Sequence, residues 1–199
     1  MLLNLIIQEP KLYTIMKDSI KEYRKRLINT LENIEIESIQ DVALVFIEAR
    51  DKGKTIYTIG NGGSGSTASH MVCDITKGCS YEKKKRFKMF CLNDNIPTIL
   101  AYSNDVSYDV VFEEQLKNVL NEGDVVLAIS GSGNSKNIIR AVNYARSVKA
   151  KTIGMTGYDG GELKRITDIS INANINDMQI SEDVHVIVMH MLYKLLESE

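Results

Sequence analysis

Two short segments rich in glycine, serine and asparagine could bind an anion. The first, GNGGSGS, begins at Gly60, and the second, SGSGNS, begins at Ser130. Glycine lets the backbone turn sharply and approach a ligand closely, and serine hydroxyls donate hydrogen bonds without adding charge. Each segment follows an apolar run and precedes a helical pattern. The free N–H groups and the positive dipole end of each helix would therefore favour a negatively charged ligand.

An ordinary structural explanation of these segments is that their residues are simply good turn and helix-cap residues. That explanation would suffice for one segment, but two segments in equivalent places favour a shared anionic ligand. Neither segment is a Walker A loop, because no Gly-Lys-Ser/Thr follows. Gly60, Gly62 and Gly65 fit a dinucleotide fingerprint weakly, since no acidic residue ends a strand about twenty residues further on. A phosphorylated sugar fits this pattern better than a nucleotide.

The histidines form a second group of residues that could perform chemistry. His70 and Asp74 are four residues apart on one predicted helix, and Glu182 and His190 are eight apart on another. Imidazole and carboxylate groups suit proton transfer near neutral pH. The same four side chains would also suit a zinc site, and a third interpretation is that they only cap helices or satisfy buried polar groups. We favour that structural role for His185 and a functional role for His70 and His190.

Alternating strands and helices are predicted to position these groups. Hydrophobic spacing predicts two N-terminal helices, over 11–34 and 37–51, before the first strand. The later predicted strands and helices are strands 55–60, 86–92, 124–130, 151–157 and 168–173, and helices 65–78, 97–103, 108–120, 135–148, 162–166 and 179–198. Val- and Ile-rich strands separated by helices indicate a parallel sheet covered on both faces. Such α/β sheets bind ligands at the carboxyl ends of their strands.

The composition is that of an ordinary globular protein. The 199 residues are 44% hydrophobic and 25% charged, which fits one domain with a substantial core. A net charge of −2 gives no overall attraction to nucleic acid or to an anionic membrane. The one basic run, Lys83–Lys88, is interpreted as a solvated loop that enters a strand rather than as a phosphate-steering patch.

Cysteine usage and the start of the chain indicate its compartment. Cys73, Cys79 and Cys91 form no CxxC motif and cannot all pair, which suits a reducing environment. The apolar opening, MLLNLI, is too short to span a bilayer and lacks the basic region and cleavage site of a signal peptide. We therefore expect a cytoplasmic protein whose first residues pack on the chain itself or on another subunit.

Several segments together resemble the sugar isomerase (SIS) family. They are GNGGS followed by ASH, ISGSGNS, the terminal SEDVHVIVMH, the long stretch GDVVLAISGSGNSKNIIRAVNYAR, and TGYDGGEL. Within that family the chain is most similar to the bacterial phosphoheptose isomerases, and the resemblance covers nearly the whole chain. It implies an α/β fold, namely a flavodoxin-like three-layer sandwich with a five-stranded parallel sheet. It also implies one domain over 1–199, with 1–52 forming helices for oligomer packing and 53–199 forming the sugar-phosphate-binding core.

The resemblance further implies a homotetramer with active sites between subunits and a phosphorylated sugar as substrate. The family converts sedoheptulose 7-phosphate to D-glycero-D-manno-heptose 7-phosphate for lipopolysaccharide or capsule. Asp74 and His190 then form the acid–base pair, and some members hold zinc through residues that match His70, Asp74, Glu182 and His190. The expected substrate contacts are Asn61, Gly62, Gly63, Ser64, Asp94, Ser130, Gly131, Ser132, Ser135 and Glu182.

Four positions depart from the family pattern. Asp74 replaces a catalytic glutamate, Glu182 replaces a glutamine, Gly78 replaces an arginine and Gly131 replaces a threonine. Aspartate is one methylene shorter than glutamate, and a small misplacement of a catalytic group can reduce the rate strongly. Two alternatives therefore stand beside phosphoheptose isomerisation. One is a non-catalytic SIS protein that senses a sugar phosphate or assists assembly, and the other is an isomerase of a different ketose phosphate.

Overall fold

The computed structural model describes residues 10–198 of the chain. The apolar opening segment that was expected to pack on the chain or on another subunit lies outside these residues. The helices are α1 Pro10–Glu32, α2 Ile36–Asp51, α3 Gly62–Gly78, α4 Ile96–Asp105, α5 Val111–Val119, α6 Lys136–Ser147, α7 Gly161–Ile166 and α8 Met178–Glu197. The strands are β1 Thr55–Gly60, β2 Lys88–Cys91, β3 Val125–Ser130, β4 Lys151–Thr156 and β5 Ile169–Asn172.

The five strands form one parallel sheet with the order β2-β1-β3-β4-β5. The chain passes from β1 to β2 on one side and then returns to β3 on the other side. The topological switch point of the sheet therefore lies between β1 and β3, where α/β folds bind their ligands. Gly60 is paired with Ile129 in the register, so the two glycine–serine segments leave the sheet side by side.

Helices cover both faces of the sheet and bury two apolar cores. On one face α2, α3 and α8 pack against the sheet around fully buried residues such as Phe46, Met71 and Val188. On the other face α5 and α6 pack around Phe112 and Ile138. Each large apolar side chain of this kind stabilises the fold by about 1.5–3 kcal/mol relative to exposure. The predicted three-layer α/β sandwich with a five-stranded parallel sheet is confirmed.

Two predicted helices differ in detail from the structure. Helix α3 begins at Gly62 rather than at residue 65, because the glycine-rich segment itself enters the first helical turn. The predicted helix 108–120 is divided into a 3₁₀ turn, Tyr108–Val110, and α5. The Ser107 side chain accepts a hydrogen bond from the Asp109 N–H at 3.1 Å and so fixes the start of that turn.

The N-terminal helix α1 is attached to the start of α8. Tyr23 donates a 2.6 Å hydrogen bond to Asp183, and Arg26 forms a 2.9 Å ion pair with Asp177. None of the helices within residues 10–198 combines the length and apolar character needed to span a bilayer. The basic run is largely exposed before β2, as predicted, and the three cysteines are free.

Candidate active site

The two glycine–serine segments line one cavity at the carboxyl ends of β1 and β3. The cavity has a volume of about 270 Å³. Its lining residues are Asn61, Gly62, Gly63, Ser64, Ile129, Ser130, Gly131, Ser132, Ser135, Met178 and Glu182. All the substrate contacts expected from the sequence therefore line this cavity, with the exception of Asp94. Ile129 and Met178 are additional members that the sequence did not indicate.

Two helices begin at this cavity without a hydrogen bond to the side chain of the N-cap residue. Asn61 is the N-cap residue of α3 and Ser135 that of α6, yet neither side chain bonds an N–H group of its own helix. The first N–H groups of a helix have no partner within the helix. Both helix ends therefore keep N–H donors and positive dipole charge for a ligand in the cavity, which suits an anion.

The second segment is held rigidly by its own backbone. Gly133 has φ +65°, donates its N–H to the Ser130 carbonyl at 2.9 Å and accepts the Leu163 N–H at 2.9 Å. A Cβ at Gly133 would lie 2.0 Å from the Gly160 carbonyl oxygen, so only glycine fits here. The Ser130 and Ser135 hydroxyls lie 3.4 Å apart and face the same cavity. These hydroxyls are therefore preorganised for a ligand.

The first segment is braced by a residue that the sequence did not indicate. The Asn93 side chain accepts the Gly60 N–H at 3.2 Å and donates to the Gly60 carbonyl at 2.7 Å. Asn93 lies two residues after the end of β2, where asparagine ordinarily predicts a turn. A double backbone contact across neighbouring strands has no signature in local sequence, which is why Asn93 was not predicted.

Glu182 places a carboxylate at the cavity wall. A Cβ at Gly63 would lie 2.7 Å from its Oε1 atom, so the carboxylate packs directly on the start of α3. Like charges repel strongly at short range in a partly buried site. A bound phosphate would therefore favour the serine side of the cavity, away from Glu182.

Two of the departures from the family pattern have a steric explanation. A Cβ at Gly131 would lie 2.4 Å from Sδ of Met178, so the Met178 side chain occupies the space that a threonine would need. A Cβ at Gly78 would lie 2.3 Å from Cε2 of Tyr193, whose ring fills the corresponding space beside α3. At both positions, a large side chain of α8 fills the space that the glycine leaves.

His70, Asp74 and His190 form a cluster on α3 and α8. Oδ2 of Asp74 lies 3.4 Å from Nε2 of His70 and 3.7 Å from Nε2 of His190. The two imidazole rings meet edge to face with their centroids 5.4 Å apart. The side chains of His70 and His190 are about half exposed, at 47% and 50%. The cluster is therefore open to a substrate.

The same cluster fits a divalent metal ion. One ligand atom from each of the three residues lies within 4.8 Å of the others. Nitrogen and oxygen ligands at 2.0–2.2 Å from a tetrahedral zinc ion are about 3.3–3.6 Å apart, close to the observed separations from Asp74. Two imidazoles and a carboxylate are also a donor set that zinc accepts.

Glu182 and Asp94 lie elsewhere. Glu182 is two helical turns before His190, about 12 Å along α8, so one chain brings together only three of the four predicted metal ligands. Asp94 does not line the cavity but is exposed and accepts a 2.7 Å hydrogen bond from Ser69. Sequence spacing predicted the helix that carries each side chain, but not which other element it meets.

His185 lies in the core beneath this region and is 1% exposed. Neither ring nitrogen makes a hydrogen bond of ordinary geometry within residues 10–198. Burial lowers the pKa of His185, and the nearby Thr156 backbone partly opposes this shift. His185 is therefore a core residue, but it is not the hydrogen-bonded core residue that was expected, and its structural role stays a prediction.

Comparison with known proteins gives consistent matches. The family model described as SIS domain matches residues 21–157. A probable phosphoheptose isomerase from Thermoplasma acidophilum is 35% identical over 179 residues, covering 90% of this chain and 98% of that protein. Among solved structures, phosphoheptose isomerase GmhA from Neisseria gonorrhoeae has a TM-score of 0.85 at 25% identity, covering 92% of this chain and 100% of that one.

A second solved structure has the same fold. The phosphoheptose isomerase from Francisella tularensis has a TM-score of 0.86 at 23% identity. The match covers 95% of this chain and 100% of that chain. The helices and sheet therefore correspond over nearly the full length of both chains.

Proposed function

Because the chain belongs to the SIS domain family and to its phosphoheptose isomerases, we propose that it converts sedoheptulose 7-phosphate to D-glycero-D-manno-heptose 7-phosphate. The observation that carries this proposal is the single cavity lined by both glycine–serine segments. Two uncapped helix N-termini and several hydroxyls at one small cavity suit a phosphate monoester. The enzyme is an aldose–ketose isomerase that supplies heptose for lipopolysaccharide or capsule in the cytoplasm.

The cavity anchors the phosphate. Hydroxyls of Ser64, Ser130, Ser132 and Ser135 donate to phosphate oxygens, together with N–H groups at the start of α6. Anchoring the phosphate fixes the carbon skeleton, so that the reacting carbons keep one position relative to the acid–base groups.

The Asp74 carboxylate and the His190 imidazole perform the proton transfers. Isomerisation moves a proton between C1 and C2 through an enediol, which requires a base at carbon and an acid at oxygen. Asp74 takes the proton from one carbon and returns it to the other. His190 donates a proton to one substrate oxygen and removes a proton from the other. Their 3.7 Å separation lets the two groups act on adjacent atoms.

His70, Asp74 and His190 would hold a zinc ion. When bound, the ion would polarise the carbonyl and hydroxyl oxygens of the sugar. The edge-to-face arrangement of the two imidazoles places both rings beside the same carboxylate, ready for such an ion.

The active protein is a homotetramer with its sites at subunit interfaces. Ser64 and Asp74 are about 15 Å apart along α3, so the cavity and the cluster of one chain are separated along the helix. The cavity of one copy and the cluster of a neighbour would together complete one site, and Glu182 would reach a metal only across that interface. An apolar groove of about 600 Å³ beside His190 supports such packing, lined by Leu31, Ile34, Ile36, Ile39, Gln40, Ile187, Val188, Met191, Lys194 and Leu195.

A panel of sugar phosphates tests the proposal. The chain is incubated with sedoheptulose 7-phosphate, or with a hexulose or pentulose phosphate, in added zinc or in chelator, and products are followed by NMR. We expect heptose 7-phosphate from sedoheptulose 7-phosphate, faster with zinc. Binding without conversion would instead support a sugar-phosphate sensor, and conversion of only a shorter ketose phosphate would assign a different isomerase.

A further inference from the structure

The side chain of Asn61 is held at the cavity by two residues that do not line it. Asn61 exchanges two hydrogen bonds with Asn137, one in each direction, at 3.0 and 2.8 Å. The Tyr108 hydroxyl donates a third hydrogen bond to Oδ1 of Asn61 at 2.8 Å. Asn137 is 2% exposed on α6, whereas Tyr108 is 48% exposed in the 3₁₀ turn. Three separate elements therefore meet at one amide.

The direction of every hydrogen bond in this network follows from one backbone group. The N–H of Ile138 donates to Oδ1 of Asn137 at 3.0 Å, and a backbone N–H can only donate. That contact fixes which end of the Asn137 amide is oxygen, so its Nδ2 atom must donate to Oδ1 of Asn61. The Tyr108 hydroxyl meets the same oxygen and must also donate. The Asn61 amide therefore has one orientation.

Counting donors and acceptors shows what Asn61 offers to a ligand. Its Oδ1 atom accepts from Asn137 and from Tyr108, which uses both lone pairs. Its Nδ2 atom donates one proton to Asn137, which leaves one N–H. Asn61 also leaves the helix it precedes uncapped, although asparagine is among the best N-cap residues. The Asn61 side chain can therefore offer a ligand in the cavity one N–H donor and no acceptor.

We propose that Tyr108 and Asn137 are positioning residues that hold Asn61 as a donor toward an oxygen of the bound sugar phosphate. This inference rests on the proposed function and deepens it. The partner of Asn61 must be an acceptor, namely a phosphate, carbonyl or hydroxyl oxygen of the substrate. Because the free N–H is prepared before binding, little freedom is lost when the ligand arrives.

The test is a double-mutant cycle on turnover of sedoheptulose 7-phosphate by the full chain. It compares wild type, Tyr108→Phe, Asn61→Ala and the double variant, with KM and kcat measured for each. Tyr102→Phe is the matched control, since its hydroxyl makes no hydrogen bond to the described residues. Asn137→Asp is a second variant that keeps the acceptor for the Ile138 N–H but removes the donor to Asn61.

The expected result is a KM that rises about fivefold to tenfold in Tyr108→Phe, with kcat within twofold of wild type. Asn137→Asp should show the same pattern, and Tyr102→Phe should match wild type. In the Asn61→Ala background, Tyr108→Phe should add no further rise, because its effect passes through Asn61.

Two results would overturn the inference alone. One is Tyr108→Phe with wild-type KM, and the other is an equal rise in KM whether or not Asn61 is present. A wild-type chain that neither binds nor converts sedoheptulose 7-phosphate would overturn the proposed function first, and this inference with it. The two failures are therefore distinguishable from the wild-type measurement.

Discussion

The cavity and the His70–Asp74–His190 cluster are built in opposite ways. The cavity is walled by backbone and short side chains, and its loops are tied by Gly133, Asn93 and Asn137 to neighbouring elements. The cluster lies on two helix surfaces, and its imidazoles are about half exposed. The cavity is thus built from tied segments of one chain, whereas the His70–Asp74–His190 cluster is open on one side.

This difference suggests a division of labour. Anchoring a phosphate needs fixed donors, which a tied backbone supplies without reorganisation on binding. Proton transfer and metal binding need side chains that a substrate, an ion or a second subunit can still reach. Variants in the two regions should therefore fail differently: changes in the cluster should reduce kcat, and changes in the cavity should raise KM.

The largest expected effect is on the cluster. His190→Gln keeps a polar side chain of similar reach but cannot exchange protons near neutral pH. We expect kcat to fall by about 10²–10⁴-fold, with KM for sedoheptulose 7-phosphate nearly unchanged, in a steady-state assay. Full activity in His190→Gln would remove this residue from the mechanism.

The next effect separates ligand binding from helix capping. Ser135 occupies an N-cap position but makes no cap hydrogen bond, so Ser135→Ala should leave the melting temperature nearly unchanged. We expect its KM to rise about tenfold or more, because a hydrogen bond to a charged group is lost. Asn95, which accepts the Thr98 N–H at 3.3 Å, is a true cap. Asn95→Ala should lower the melting temperature and spare KM, and the reverse pattern would contradict the assignment.

The helices and the strands could be predicted from the sequence because each has its own hydrophobic period. The two glycine–serine segments could be placed together because parallel strands end at one edge of a sheet. Contacts between distant side chains could not be predicted. Glu182 and His190 share a helix face yet lie at separate regions, and Asn93 and Asn137 look like ordinary turn and helix residues. Such pairings depend on the tertiary packing of α3, α6 and α8.

His185 provides a smaller effect that belongs to the core and not to either region. Burial lowers its folded-state pKa below the usual 6.5, so the unfolded chain binds more protons between the two values. Stability should be complete above about pH 6.5 and should fall as the pH decreases below it. Melting temperatures measured across this range should vary less in His185→Met than in the exposed control His70→Gln. Equal slopes in the two variants would exclude His185 as the source.

The smallest effect is expected at Gly131. A Cβ there meets only the flexible end of Met178, which can move aside, so Gly131→Ala should change KM by less than about threefold. Gly133→Ala should destabilise the fold far more, because Gly133 has φ +65° and its added Cβ would lie 2.0 Å from a backbone oxygen. Thermal unfolding of both variants tests this contrast. A Gly133→Ala variant as stable as Gly131→Ala would show that the second segment is not rigid.

The separation of anchoring from chemistry is tested most directly by Asp74→Asn. Calorimetry measures its affinity for sedoheptulose 7-phosphate, and NMR measures product formation in the same sample. The expected result is a Kd within about threefold of wild type together with turnover reduced by at least a hundredfold. Turnover at the wild-type rate, or a loss of affinity as large as the loss of turnover, would contradict the account.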